Sequence, residues 1–241
     1  MLLEVCANSL QSALNAQGAG VDRIELCAEL GVGGITPSLG CLKLVRGQLD
    51  IPIHVLIRPR SGHFVYTDPE FDVMMADIEA CRELGVEGIV SGVLLEDFSL
   101  DVERTAVLVD LAGPMHFCFH RAFDWVADPL LALKQLEGMG VATVLSSGGM
   151  PTALEGLRHL ERYQRSCSME IMAGGGVTPG QVERFREVGI RAVHASGTSF
   201  SRALDLSGKL PLNSAAHLVE DRVGGTDPQR AEALVRAVKN S

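Results

Sequence analysis

The amino-acid sequence predicts a single-domain (β/α)8 barrel of the TIM type, spanning residues 1–241. Three observations predict it. Short strand-like runs alternate with helix-like stretches around the whole chain, the pattern of parallel strands joined by crossover helices. The length of 241 residues is close to the roughly 250 typical of such barrels. Helix starts and stops recur in the same chemical form. An open doubly wound sheet is the alternative arrangement of the same elements.

Strands are expected at residues 2–7, 23–27, 53–58, 88–94, 115–121, 143–147, 169–173 and 192–196. Helix starts are expected where a capping residue precedes proline: Thr36-Pro37, Asp68-Pro69, Asp128-Pro129, Thr178-Pro179 and Asp227-Pro228. The cap oxygen accepts a free helix N–H, and proline loses no hydrogen bond in the first turn. Helix ends are expected at Gln17-Gly18, Leu84-Gly85, Met139-Gly140 and Val188-Gly189, where glycine can close the last turn in the left-handed conformation. Residues 197–226 lack periodicity. A loop of that length is usually functional, and its position after the eighth strand places it over the barrel mouth, as a lid or a subunit contact.

Composition narrows the function. A net charge of −9 with no basic cluster argues against nucleic acid and anionic membrane as partners. A small molecule or ion fits better. No apolar run reaches the ~20 residues of a membrane span, and Met1-Leu2-Leu3-Glu4 has no basic leader, so a soluble, cytoplasmic protein is expected. The six cysteines form no Cys-x-x-Cys pair and are read as free thiols.

The outer face of a closed parallel barrel lies under helices and is apolar, so alternating polar residues point inward. This places Val5, Ile24, Leu26, Val55, Ile57, Phe117, Phe119, Ile171 and Val193 outside. It places Glu4, Cys6, Glu25, Cys27, His54, Arg58, Cys118, His120, Glu170, Met172, His194 and Ser196 inside. Such groups are costly to bury unless paired or used, and the interior is read as a site in preference to a self-satisfied polar core. The segment from His116 to Asp124 shows the logic most clearly: a period-two strand that runs straight into Arg121 and Asp124 at its carboxyl end.

Three chemistries fit. Cys6 and Cys27 end neighbouring strands about 4.8 Å apart, where two thiolates could hold Cu(I), or the two thiols could simply be packed. Glu25 and His120 could pass a proton while Arg58 stabilises developing negative charge. The glycines Gly174, Gly175 and Gly176 after the seventh strand, with Ser196 after the eighth, could present backbone N–H groups to an anion, or form only tight turns. Arg60 is expected to join Arg58 as an anion clamp, with Glu4, Arg121 and Asp124 as further ligand-binding residues.

Several strings together resemble the CutC family of copper homeostasis proteins. They are Glu4-Val5-Cys6, Asp22 to Cys27, Gly33 to Ser38, Ile57-Arg58-Pro59-Arg60, Phe119 to Asp124, Ser147-Gly148-Gly149 and Gly174 to Val177. The resemblance implies a (β/α)8 barrel, a cytoplasmic location, a homodimer or higher homo-oligomer, and a role in copper homeostasis with Cys6 and Cys27 as Cu(I) ligands. Cys118 departs from the family pattern, where a threonine is expected. The competing expectation is a barrel enzyme acting on a small anionic or phosphorylated substrate by acid–base chemistry.

Overall fold

Eight short strands, joined by seven connections that turn back outside the sheet, close edge to edge into one ring. The computed structural model describes residues 1–198 together with 204, 205, 207–210 and 212. The strands are β1 (Leu2–Ala7), β2 (Arg23–Leu26), β3 (Ile53–Leu56), β4 (Gly88–Ser91), β5 (His116–Phe119), β6 (Thr143–Ser146), β7 (Glu170–Gly174) and β8 (Ala192–Ala195). The helices are α1 (Leu10–Ala19), α2 (Leu39–Arg46), α3 (Asp68–Glu83), α4 (Val102–Ala112), α5 (Pro129–Gly138), α6 (Leu157–Ser166) and α7 (Val182–Glu187). All neighbouring strands are parallel, and β1 pairs with both β2 and β8.

The expected strands overrun the observed ones mostly at their carboxyl ends, because those residues leave the ladder to build the mouth. Arg58 N–H, for example, donates to Thr36 Oγ1 at 2.9 Å, beyond the end of β3. That contact also corrects one helix start. Thr36-Pro37 ties the loop to β3, and α2 is capped by Ser38, whose hydroxyl accepts Cys41 N–H at 3.2 Å. At α3 the cap is Thr67 in a capping box with Glu70, one residue before Asp68-Pro69. Asp128-Pro129 starts α5 as expected, while Thr178-Pro179 starts a 3₁₀ turn that leads into α7. Helix α1 runs past Gln17-Gly18 and stops at Gly20, the residue that adopts positive φ. The start at Asp227-Pro228 and most of the loop 197–226 lie outside the described residues.

Two apolar layers result from the alternation. Ile24, Leu26, Ile53, Val55, Ile57, Ile89, Phe117, Phe119, Val144, Ile171 and Val193 pack outward against the helices. A smaller inner cluster of Leu56, Val90, Cys118, Leu145, Met172 and Ala192 plugs the barrel beside Cys6 and Cys27. Space inside is allotted by glycine. A Cβ at Gly88 would lie 2.4 Å from the ring of His54, and one at Gly92 would lie 2.6 Å from the ring of His120.

Candidate functional site

The end of β1 and the end of β2 bring the thiols of Cys6 and Cys27 to 3.3 Å, both buried. The strands run in register Cys6 against Glu25, so the Cys6 thiol also reaches Glu25 Oε1 at 3.8 Å. One strand position beyond Glu4 in the opposite direction around the ring lies His194 of β8. The ligand atoms of Cys6, Glu25 and His194 all fall within 4.8 Å of one another. Glu25 Oε2 is buried with no hydrogen-bond partner. A buried, unpartnered carboxyl oxygen beside two thiols and an imidazole brings together groups that could hold a metal ion.

Electrostatics follow from burial. Desolvation pushes the Glu25 carboxyl up to about 7, against the pull of cationic His194. Burial alone would lower His194, but the carboxylates of Glu25 and Glu4 hold its proton and raise it to about 9. The hydrogen bond with Cys27, burial and the nearby Glu25 charge all keep the Cys6 thiol protonated, well above its ordinary value. A metal taken here must therefore displace protons.

Beneath this level is a closed polar floor. Glu4, fully buried, pairs with Arg23 Nε at 2.5 Å, accepts from His194 Nδ1 at 2.8 Å and lies 3.6 Å from His54 Nδ1. Burial works against its ionisation, yet the hydrogen bond and charge of His194, with Arg23, bring its carboxyl down to about 2. Arg23 also reaches Met172 Sδ at 3.6 Å, while His116 bonds Thr143 at 2.8 Å and stacks on His54. Glu4 is thus the residue that orients His194. Desolvation and Arg23 lower His54 to about 3, so its ring stays neutral.

Above the thiols opens a cavity of about 490 Å³. Of the residues expected at a site, Cys6, Glu25, Arg58, His120, Arg121, Gly175, Gly176 and Ser196 line it, joined by His194, Phe64 and Trp125. Cys27 stands behind Cys6. His120 is buried, and desolvation with the Arg58 charge lowers it to about 3. A neutral imidazole whose Nδ1 accepts Ala122 N–H presents a hydrogen-bond donor at Nε2. Glu25 is grouped with His194, and His120 belongs to the opposite wall's loop after β5.

Other expected residues are placed differently. Arg58 donates to the carbonyls of Val32, Gly34 and Gly62 at 2.7–2.8 Å and lies over Phe64, so it staples two loops where a clamp was expected. Arg60 points away: it pairs with Glu70, bonds the carbonyls of Ser61, His63 and Val65, and covers Tyr66. Asp124 sits behind Arg121, which donates to it at 2.8 Å, and accepts from Ser146 Oγ, Ser147 and Gly149 N–H. Gly174 lies under Leu145, where a Cβ would approach to 2.5 Å. Cys118 is enclosed in the inner apolar cluster, and Cys81 is buried on α3. Arg23 and His116 were not expected inside, although the alternation that placed Glu25 and Cys118 points to both.

Fold and site define a parallel (β/α)8 barrel protein with thiol, carboxylate and imidazole donors gathered at its mouth. The CutC family model matches residues 1–199, and the chain belongs to the CutC family. It is 48% identical over 196 residues to a CutC protein of Salmonella enteritidis, which covers 81% of this chain and 79% of the relative. Among solved structures it is similar to a CutC from Streptococcus agalactiae assigned to copper homeostasis, with a TM-score of 0.77 and 33% identity over 80% of this chain and 97% of that one. A thiamine phosphate pyrophosphorylase from Pyrococcus furiosus shares the fold alone, at TM-score 0.56 and 15% identity over 81% and 85% of the two chains.

Proposed function

We infer that this protein serves copper homeostasis by holding Cu(I) at Cys6 and Cys27, with Glu25 and His194 completing the donor set, and that it does so in the reducing cytoplasm. The observation that carries the reading is the pair of buried thiols 3.3 Å apart at the ends of adjacent strands, with Cys6 lining the cavity, Cys27 behind it and an unpartnered Glu25 oxygen beside them. Soft thiolates select Cu(I) over harder ions. If metal–sulfur bonds are near the ~2.3 Å known for zinc thiolates, two sulfurs in line would stand about 4.6 Å apart, so this pair suits a bent site with further donors. His194 supplies one in a familiar arrangement: its Nδ1 bonds Glu4, which leaves Nε2 for the metal once its proton is lost. No helix among the described residues is long and apolar enough to cross a membrane.

The test is an anaerobic titration of the reduced protein with Cu(I) against a competing chelator, alongside the Cys6→Ser/Cys27→Ser variant. The reading expects one tight equivalent and at least a hundredfold loss in the variant. Undiminished affinity in the variant contradicts it.

A second reading, acid–base catalysis on a small anionic substrate, rests on Glu25, held to about 7 beside a cationic His194. A group poised near neutrality can both take and return a proton. Under it, Glu25→Gln folds normally and loses all turnover while Cys6→Ser/Cys27→Ser retains it.

A further inference from the structure

We propose that the barrel mouth is also a binding site for a small phosphate monoester carrying a carbonyl oxygen, its phosphate held by Arg121 and the N–H groups of Gly176 and Val177, its carbonyl oxygen by His120 Nε2–H. The proposal concerns a ligand other than copper and does not depend on the thiols.

The cavity of about 490 Å³ is of small-molecule size, within the ~300–1,000 Å³ of typical ligand sites. Arg121 is its preorganised cation. Asp124 holds Nε at 2.8 Å and Ser147 Oγ accepts from Nη2 at 2.9 Å, while the side chain stays 45% exposed. Its remaining nitrogen, Nη1, has no hydrogen-bond partner among the described residues and faces Gly175, where a Cβ would stand only 3.4 Å away. Gly175 and Gly176 adopt φ of 107° and 69°, which brings backbone beside the guanidinium. The register of β7 against β8 aims Gly175 N–H at the His194 carbonyl, while the N–H groups of Gly176 and Val177 have no backbone acceptor among the described residues. Two backbone donors and the free Nη1 of a guanidinium suit the terminal oxygens of a phosphate monoester, which offer more acceptor sites than the two oxygens of a carboxylate.

His120 supplies the independent observation. It lines the same cavity, is 5% exposed, and its Nε2 is buried with no partner. Since Nδ1 accepts Ala122 N–H at 3.3 Å, the ring proton resides on Nε2. An orphaned buried donor in a ligand-sized cavity is satisfied by a ligand oxygen. The opposing carboxyl of Glu25, in the same cavity, keeps the anionic end of the ligand on the Arg121 side.

The experiment is calorimetric titration of the purified protein with dihydroxyacetone phosphate and with inorganic phosphate. The expected result is one-to-one binding of both, the ketone at least tenfold tighter. Ser196→Glu, an exposed change at the rim, is expected to weaken both probes more than tenfold without touching the Arg121 network. His120→Asn keeps an acceptor for Ala122 N–H and deletes the Nε2 donor; it is expected to bring the ketone's affinity down to that of phosphate, which itself stays unchanged. No binding of either probe at millimolar concentration overturns the proposal, as does unchanged affinity in Ser196→Glu or an unchanged ketone preference in His120→Asn.

Discussion

At the scale of single residues, Glu25 and His194 tie stability to pH. Glu25 titrates near 7 in the fold against an ordinary 4.5, so its contribution is complete below pH 4.5 and is lost as pH rises through 7. His194 rises from 6.5 to about 9, so its contribution is present below 6.5 and lost as pH rises through 9. Glu4, lowered from 4.5 to about 2, contributes above 4.5 and fails only as pH falls through 2. The rings of His54 and His120, lowered from 6.5 to about 3, act the other way and lose stability as pH falls below 6.5. The thermal midpoint is therefore expected to be highest near pH 6.5 and to decline towards 9. Glu25 opposes the rise between pH 5 and 6.5, so Glu25→Gln should make that rise steeper; a variant whose midpoint follows the parent's slope would show that Glu25 is not the titrating group. This residue-level chemistry was only partly legible in the sequence. Alternation placed Glu25 and His194 inside, because period two is a property of the backbone. It could not show that Arg58 binds three carbonyls or that Arg60 meets Glu70, since those partners come from loops whose course has no period.

At the scale of elements, the loops after β5 and β6 are joined through one buried carboxylate. Asp124 accepts from Arg121, both Ser146 and Ser147 hydroxyls, and the N–H groups of Ser147 and Gly149, at 2.6–3.1 Å. Removing it leaves several donors unmet at about 1–3 kcal/mol each before relaxation. Asp124→Ala is expected to lower stability by about 3 kcal/mol in urea unfolding and to weaken anion binding by freeing Arg121. A loss below 0.5 kcal/mol would mean that the loops are held by other contacts. The string Phe119 to Asp124 signalled this junction by its charge at a strand end, but the spacing could not show that Asp124 supports Arg121 from behind. Caps were read with similar limits: Asp128 was legible, whereas Ser38 was hidden by the nearby Thr36-Pro37, an equally good cap signal used to fasten β3.

At the scale of the whole molecule, the barrel tolerates a polar interior because it is built in levels: an ion-paired floor around Glu4 and Arg23, an apolar plug, and the donor set at the mouth. Room for that arrangement comes from glycine on β4. Gly88→Ala would put a Cβ 2.4 Å from the His54 ring, on a strand with backbone on both sides, and is expected to cost about 1–3 kcal/mol as overpacking. Stability equal to the parent in urea unfolding would mean that His54 has an alternative position. The eightfold repeat was readable because capped helix starts and glycine stops recur, and each is a local device. How the inner polar residues sort into levels was not, because register between strands far apart in sequence decides which side chains meet.

The central claim is that Cu(I) is bound by Cys6 and Cys27 at this mouth. Copper K-edge X-ray absorption of the protein loaded with one equivalent of Cu(I) tests it most directly. The account predicts two sulfur scatterers with additional nitrogen or oxygen, both sulfurs vanishing in Cys6→Ser/Cys27→Ser. A first shell without sulfur, or one unchanged in that variant, would contradict it.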